Sequence, residues 1–357
     1  MLKSSGRPMI TTAPAGARAV SPARIPSLDG VRAAAILLVV FAHLCGTRAF
    51  LPESTLAYTG DLGRRGVQMF FVLSGFLITS LLVEELQTTG WISLRAFYVR
   101  RAFRIFPAAY CYLAIMGVLA VAGVLPISAA GLCAAGTYTI NYWGAGRTWY
   151  LGHLWSLAVE EQFYFLWPGV VALLGPGAAR RVAAGAILFG ACFRIVARLW
   201  LPGASVYWFP TVMDALAVGC LLALVRSDLE CQARYMRFLR SRWGLVLILL
   251  TMAAIQIIRR PDALLSLPFS MAVGVLIHRV VTIPPAALNS RLAVWIGGIS
   301  YSLYLWQQPF LFRDAAYSVF PLNLAAALAV AAASYGVFEK PLIRIGRRWS
   351  ARIKERR

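Results

Sequence analysis

The chain has 357 residues, 60% of them hydrophobic and 14% charged, with a formal net charge of +21 and a mean hydropathy of +0.69. A soluble domain of this length carries roughly 25% charged residues, so the composition excludes an ordinary soluble enzyme and points to a polytopic membrane protein. The positive charge falls between long apolar runs rather than along one amphipathic face, which fits a positive-inside bias and argues against nucleic acid as a partner.

Residues 1–30, rich in Pro, Ala, Ser and Arg and without an apolar run, read as a disordered cytoplasmic tail. The apolar run after Arg32 has the look of a signal peptide, but cleavage would discard His43, and Ala42-His43-Leu44 before Cys45 makes a poor lipoprotein site. It is read as a retained helix. Apolar segments follow at 31–47, 67–83, 106–125, 154–174, 182–200, 209–225, 243–258, 263–281, 292–312 and 322–339, several near the minimum of about 17–20 residues for a span. An eleventh segment, 129–143, carries Gly131, Gly136, Thr137, Thr139 and Asn141. With ten spans and a cytoplasmic N-terminus, four basic clusters fall inside: Arg95/Arg100/Arg101/Arg104, Arg180/Arg181, Arg226 to Arg242, and the tail from Lys340. Counting 129–143 as a span moves the last three outside, against the rule. Segment 126–153 is therefore expected as an outer loop. Arg64/Arg65 and Arg259/Arg260 land outside in this scheme and weigh modestly against it.

The expected fold is thus an all-α bundle of about ten transmembrane helices in the inner (cytoplasmic) membrane, with both termini cytoplasmic. Residues 31–345 form its transmembrane domain and 346–357 a basic cytoplasmic tail. Cys45, Cys111, Cys133, Cys192, Cys220 and Cys231 lie mostly in apolar runs without a C-x-x-C pair, so neither a disulfide framework nor a metal site is implied.

The first span carries two costly residues. Arg32 and His43, eleven positions apart, share one helix face about three turns and roughly 16 Å apart. An ionisable residue inside a membrane is a functional-site hypothesis by default. His43 suits a general base, as an imidazole near its working range, or it is a polar residue packed between helices. Arg32 is too far away to be its partner and faces either an anion entering from the cytosol or Asp29, three residues earlier. Arg100, Arg101 and Arg104 form a second group. Arg101 and Arg104 share a face, and their guanidinium forks suit the phosphates of coenzyme A; anchoring to anionic lipid is the alternative. Glu160 and Glu161 point about 100° apart on a helix, so only one can face a given cavity, where it would orient His43 or an arginine. They are expected near the outer, acceptor side. Ser156 lacks a nucleophile elbow. Glu339 either holds a buried arginine such as Arg32 or marks the membrane edge. Ser74-Gly75 reads as close helix packing, and Trp149, Trp155 and Trp306 as belt and packing residues.

Six motifs follow in order: Asp29-Gly-x-Arg32 with His43, Gly66-Val-Gln-Met-Phe-Phe-Val-Leu-Ser-Gly-Phe-Leu-Ile-Thr79, Phe97-Tyr-Val-Arg-Arg-Ala-Phe-Arg-Ile-Phe-Pro107, His153-Leu-Trp-Ser-Leu-Ala-Val-Glu-Glu-Gln-Phe-Tyr164, Ser300-Tyr-Ser-Leu-Tyr-Leu-Trp306 and Phe338-Glu-Lys-Pro341. Together they resemble the integral-membrane acyltransferase 3 family over nearly all of residues 27–345. The resemblance implies transfer of an acyl group, usually acetyl from acetyl-CoA, to a hydroxyl of a glycan, glycolipid or secreted small molecule. No permanently bound cofactor is implied; acyl-CoA is the donor substrate. Some relatives carry a fused extracytoplasmic hydrolase-like domain, for which this chain ends too soon.

Two positions depart from the family pattern. Many relatives have His after the Leu-Trp of the ninth span, where this chain has Gln307, so a second acid/base group is missing there. Relatives also often place Arg two residues before Asp214, where this chain has Val212, which leaves Asp214 outside the expected site. His153 and His278 are read as a loop residue and a helix-end residue. The resulting expectation is a membrane O-acyltransferase with His43, Arg32, Glu160 and Glu161 as catalytic candidates and Arg32, Arg100, Arg101 and Arg104 on the donor. Direct transfer and an acyl-histidine relay both remain open. The rival is a ten-helix exporter of a glycan or lipid with Arg32/His43 as a proton relay, though no inverted repeat is visible. A non-catalytic scaffold gives no reason to bury the pair.

Overall fold

The computed structural model describes residues 25–144, 148–201, 206–258 and 262–355. Residues 1–24 of the expected tail and the pair Arg259/Arg260 lie outside the described residues.

Helix α1 (Pro26–Leu44) opens on a proline in its first turn, where the missing N–H is not needed. Ser27 to Gly30, expected in the tail, are therefore helical and buried. Helix α2 (Leu56–Thr89) ends on Gly90 in the left-handed region, whose N–H bonds the Leu86 carbonyl at 2.8 Å. Ser93 caps α3 (Leu94–Val121), so the cluster Arg95–Arg104 lies inside that helix rather than ahead of it, and Pro107 sits mid-helix. Helix α4 (Ala129–Gly136) is eight residues long, in keeping with a segment that does not span. After the single turn α5 (Trp149–Gly152) comes α6 (Leu154–Trp200), of 47 residues.

Helices α7 (Phe209–Glu230), α8 (Ala233–Arg240), α9 (Arg242–Ile257), α10 (Asp262–Thr282), α11 (Arg291–Gly298), α12 (Ser300–Phe310) and α13 (Leu322–Ala333) follow. A π-helical stretch, Ser334–Glu339, leads into α14 (Lys340–Glu355). Among the described residues the sole β pairing is an isolated bridge between Arg48 and Val319.

Among the described residues seven helices are long and apolar enough to cross a membrane, or eight if α8 and α9, bent by 75°, form one broken span. The count of ten separate helices is not reached, for local reasons. Segments 154–174 and 182–200 belong to one helix, α6, broken at Gly175 (φ 74°, ψ 169°) ahead of Pro176. Segment 292–312 is split at Gly298 into α11 and α12, of 8 and 11 residues, each too short to span alone. Large apolar side chains such as Phe165, Leu173, Leu199 and Trp200 are exposed on the outside, far beyond what a soluble monomer tolerates. The chain is a multi-pass membrane protein.

Helix α1 is central, packed against α2, α10, α11 and α12. Its N-terminal Arg32 interacts with Arg104 of α3, and Arg104 in turn with Glu339 at the end of the last span. The start of α1 and the end of the last span therefore share one side of the bundle. The expected basic tail is largely α14, which lies on α3. Gly346 packs on Phe103, Arg100 bonds Ser350 at 2.6 Å, and Lys354 pairs with Glu85 at 2.7 Å. Gly346 and Ser350, four apart, leave a groove of small residues for the neighbouring helix.

The tightest crossing joins α2 and α7. A Cβ added at Gly219 would overlap the Val72 carbonyl oxygen, and one at Gly75 would overlap that of Leu216. Backbones approach this closely only through such small residues. Gly219→Val should cost about 1–3 kcal/mol by overpacking, read as a lower thermal midpoint in detergent. Gly185→Ala, which meets nothing within 4 Å, should leave the midpoint unchanged or slightly raised.

Candidate active site

The expected site residues fall into two groups at opposite ends of α1. At the first end, Arg32 pairs with Asp29 at 3.2 Å and interacts electrostatically with Arg101 and Arg104. The Arg101 guanidinium stacks on the Tyr164 ring, 4.6 Å from its centroid. Among the described residues neither Arg101 nor Arg104 has a hydrogen-bond or ion-pair partner. Arg100 is not part of this group. It points to α14 and α2, bonding Ser350 at 2.6 Å and Glu85 at 3.5 Å, because it lies on the other face of α3.

Glu160 belongs with the arginines. Its carboxylate accepts from Ser74 Oγ at 2.8 Å and from the Tyr164 hydroxyl at 3.3 Å and interacts with Arg101 and Arg32. Ser74, expected only to permit packing, thus also holds a carboxylate. Glu161 turns toward Tyr138 yet still acts on Arg101, and one of its oxygens is buried without a partner. The two carboxylates do diverge, as helix geometry requires, but both stand beside the arginines; among the described residues no interaction joins either to His43, although Glu160 acts on Tyr304 of its cavity. Two turns of α6 separate Glu160 from the helix start, where His153 lies. Glu339 accepts from Ser302 at 2.6 Å and Ser334 at 2.8 Å and faces Arg104 rather than Arg32.

At the other end of α1, His43 lies in the last turn. Its ring packs edge-on against Trp149, with centroids 5.3 Å apart, and Gln307 lies against it. Its Nδ1 is buried and has no hydrogen-bond partner. Arg313 donates to the Ala42 carbonyl at 3.2 Å and lies over the Trp149 ring at 5.8 Å, so it occupies an orphan carbonyl at the helix C-terminus.

The structure also brings in His153, expected as a loop residue. It is 5% exposed and lines one cavity of about 520 Å³ together with His43, Trp149, Trp155, Tyr207 and Tyr304. Its backbone is fixed there because its carbonyl accepts from Tyr304 at 2.9 Å and Ser156 at 3.2 Å. Ser156 Oγ also lies 2.6 Å from the Tyr304 hydroxyl, so one of the two hydroxyls donates to the other in place of the carbonyl. Trp149 and Gln308 clasp each other reciprocally, Nε1 to carbonyl at 2.7 Å and Nε2 to carbonyl at 2.8 Å. The signal for His153 was its place in the fourth motif; nothing in the sequence said that the α5–α6 corner folds inward. His278, buried in α10, bonds Tyr235 at 2.9 Å, away from both groups. Among the described residues no cluster of metal-ligating side chains occurs.

Sequence reasoning also missed Arg194. Its guanidinium grips Asp214 with bonds of 2.6 and 3.2 Å and bonds the Thr211 carbonyl at 2.8 Å and Ser266 at 3.0 Å. Asp214 lost the arginine expected two residues before it, and α6 supplies one through space.

Residues 25–337 match the acyltransferase 3 family model, an acyltransferase domain, and the chain belongs to that family. The peptidoglycan O-acetyltransferase OatA of Listeria monocytogenes is 27% identical over 319 residues, 80% of this chain and 49% of that protein. A Staphylococcus aureus (strain COL) protein named as a candidate O-acetyltransferase is 30% identical over 79% of this chain and 50% of its own. YrhL of Bacillus subtilis, named as a candidate peptidoglycan O-acetyltransferase, is 29% identical over 89% and 55%. The chain spans about half the length of these relatives. No solved structure matches it.

The Arg194–Asp214 pair yields a test of its own. Removing one member of a buried ion pair typically costs about 3–5 kcal/mol, whereas an apolar replacement of both is often neutral. Asp214→Ala should sharply reduce folded yield and thermal midpoint, and Arg194→Met with Asp214→Leu should recover much of both.

Proposed function

We propose that the chain is a membrane O-acyltransferase that moves an acyl group, acetyl in the simplest case, from acyl-CoA to a hydroxyl of a cell-envelope glycan. Family membership supports acyl transfer, and the names of the relatives support a peptidoglycan-type acceptor. Neither favours the exporter reading. The observation that carries the donor assignment is the pair of guanidinium groups, Arg101 and Arg104, that are turned inward beside Arg32 without hydrogen-bond partners. Planar forks of this kind suit phosphate oxygens. The roughly 16 Å of helix between Arg32 and His43 is on the scale of a pantetheine arm, so a thioester held at the arginines would present its carbonyl to His43.

In direct transfer the acceptor oxygen bonds the acyl carbon while His43 takes its proton. The carbon–sulfur bond then breaks, and the coenzyme A thiolate receives that proton. Glu160 and Glu161 hold the arginines in place and do not touch the reacting atoms. A cytosolic donor places the start of α1 and α14, and so both termini, on the cytoplasmic side of the inner membrane, with the cavity at His43 facing outward.

Two measurements check this. His43→Ala should lower acyl transfer by about 100- to 10,000-fold, the range for a general base, with membrane insertion intact; more than about a tenth of activity remaining would remove His43 from the chemistry. Arg101→Ala and Arg104→Ala should raise KM for acyl-CoA more than for the acceptor, with only partial rescue by Lys, since a point charge does not reproduce the fork. Unchanged acyl-CoA dependence with poor insertion would favour lipid anchoring instead.

A further inference from the structure

The cavity at the His43 end has a composition that the transfer step alone does not require. Its wall carries four aromatic rings, Trp149, Trp155, Tyr207 and Tyr304, with His43, His153 and one cation, Arg64. Trp155 and Tyr207 lie 4.7 Å apart between centroids. No carboxylate lines it. Its volume of about 520 Å³ falls within the usual range of small-ligand sites, about 300–1,000 Å³. Rigid aromatic faces beside a few planar polar groups suit a ligand with apolar C–H faces and a hydroxyl rim, which is the chemistry of a sugar ring.

The independent pointer is His153. It is 5% exposed, yet the Leu305 carbonyl, left without a helical donor by Pro309, is the one polar group against its ring, so at least one buried ring nitrogen has no hydrogen-bond partner among the described residues. Its ring is wedged between Tyr112, edge-on, and Tyr304, tilted, each 5.5 Å away, so its packing is complete while its polar atoms are not. Buried polar atoms are nearly always satisfied, and a hydroxyl-bearing ligand in the cavity would supply the missing partner. A neutral imidazole both donates and accepts, which matches a hydroxyl.

We propose that this cavity is the acceptor subsite, that it takes one pyranose ring of the glycan, and that His153 holds the hydroxyl neighbouring the one that His43 activates. This rests on the acyltransferase reading above. Trp155 and Tyr207 are the platform for the ring, and His153 selects its orientation.

The test uses the full chain in lipid nanodiscs, with chitotetraose as the probe and acetyl-CoA as donor. Binding is read by tryptophan fluorescence and transfer by released coenzyme A thiol. His153→Phe keeps the ring wedged between the two tyrosines but removes both nitrogens. It should weaken chitotetraose binding and raise acceptor KM by about tenfold or more, as expected for a lost hydrogen bond, while KM for acetyl-CoA stays unchanged. His153→Asn, which retains a donor and an acceptor, should recover part of the loss, and Trp155→Leu should weaken binding independently. Wild-type binding without transfer would refute the acyltransferase reading and leave the subsite standing. Absence of wild-type binding, or a His153→Phe variant that lowers kcat at unchanged acceptor affinity, would overturn the subsite. Should His153→Phe fail to fold, unchanged acceptor affinity in both His153→Asn and Trp155→Leu would overturn it equally.

Discussion

A guanidinium and an imidazole on one apolar helix cannot face lipid, and this constraint organises the molecule. An arginine at the bilayer centre costs about 2.5–3.5 kcal/mol even after relaxation, so Arg32 and His43 require a protein shell along the whole of α1. The shell is built by α2, α10, α11 and α12, at backbone separations that admit only small residues. Gly297 of α11 meets the Asp29 backbone and Gly66 of α2 meets that of Ala35. Packing most of α1 against its neighbours, with Leu37 left on the outside, is what allows its two polar residues to be held at fixed depth and fixed orientation.

The two ends of that helix are served differently. At the Arg32 end, cations gather with carboxylates that are themselves tied down by hydroxyl donors, Ser74 and Tyr164 for Glu160 and Ser302 and Ser334 for Glu339. Carboxylates restrained in this way neutralise the arginines without occupying every guanidinium N–H. At the His43 end the surroundings are aromatic, with Trp149 against the ring and Arg313 drawn to the helix C-terminus. The first end is an ionic cluster of both signs, and the second is an aromatic wall with Arg64 in its lining. Arg194 and Asp214 mark the contrast, because both terminal nitrogens of Arg194 are engaged by Asp214, Thr211 and Ser266, which ties α6, α7 and α10 together.

Much of this was legible in the residues. The class and the family follow from apolar periodicity and ordered motifs, and the expected grouping of Arg32 with Arg101 and Arg104 matches their electrostatic contact. What was not legible arose wherever a local break redirected the chain. Gly175 lets two apolar segments share one helix, Gly298 divides another, and the basic C-terminal segment becomes a packed helix because Gly346 and Ser350 fit against Phe103 and Arg100.

Sequence alone determined that this is an all-helical membrane protein of the acyltransferase 3 family with a polar core on its first span, since the cost of buried charge and the period of apolar residues are local properties. Tertiary structure decided the partners. Glu160 and Glu161 stand with the arginines and not with His43, Arg100 leaves for α14, Arg194 finds Asp214 across two helices, and His153 turns into the cavity beside His43. Each of these depends on which face of one helix meets which face of another, and that is set by close packing between residues up to 271 positions apart in the chain, which spacing within a single segment does not encode.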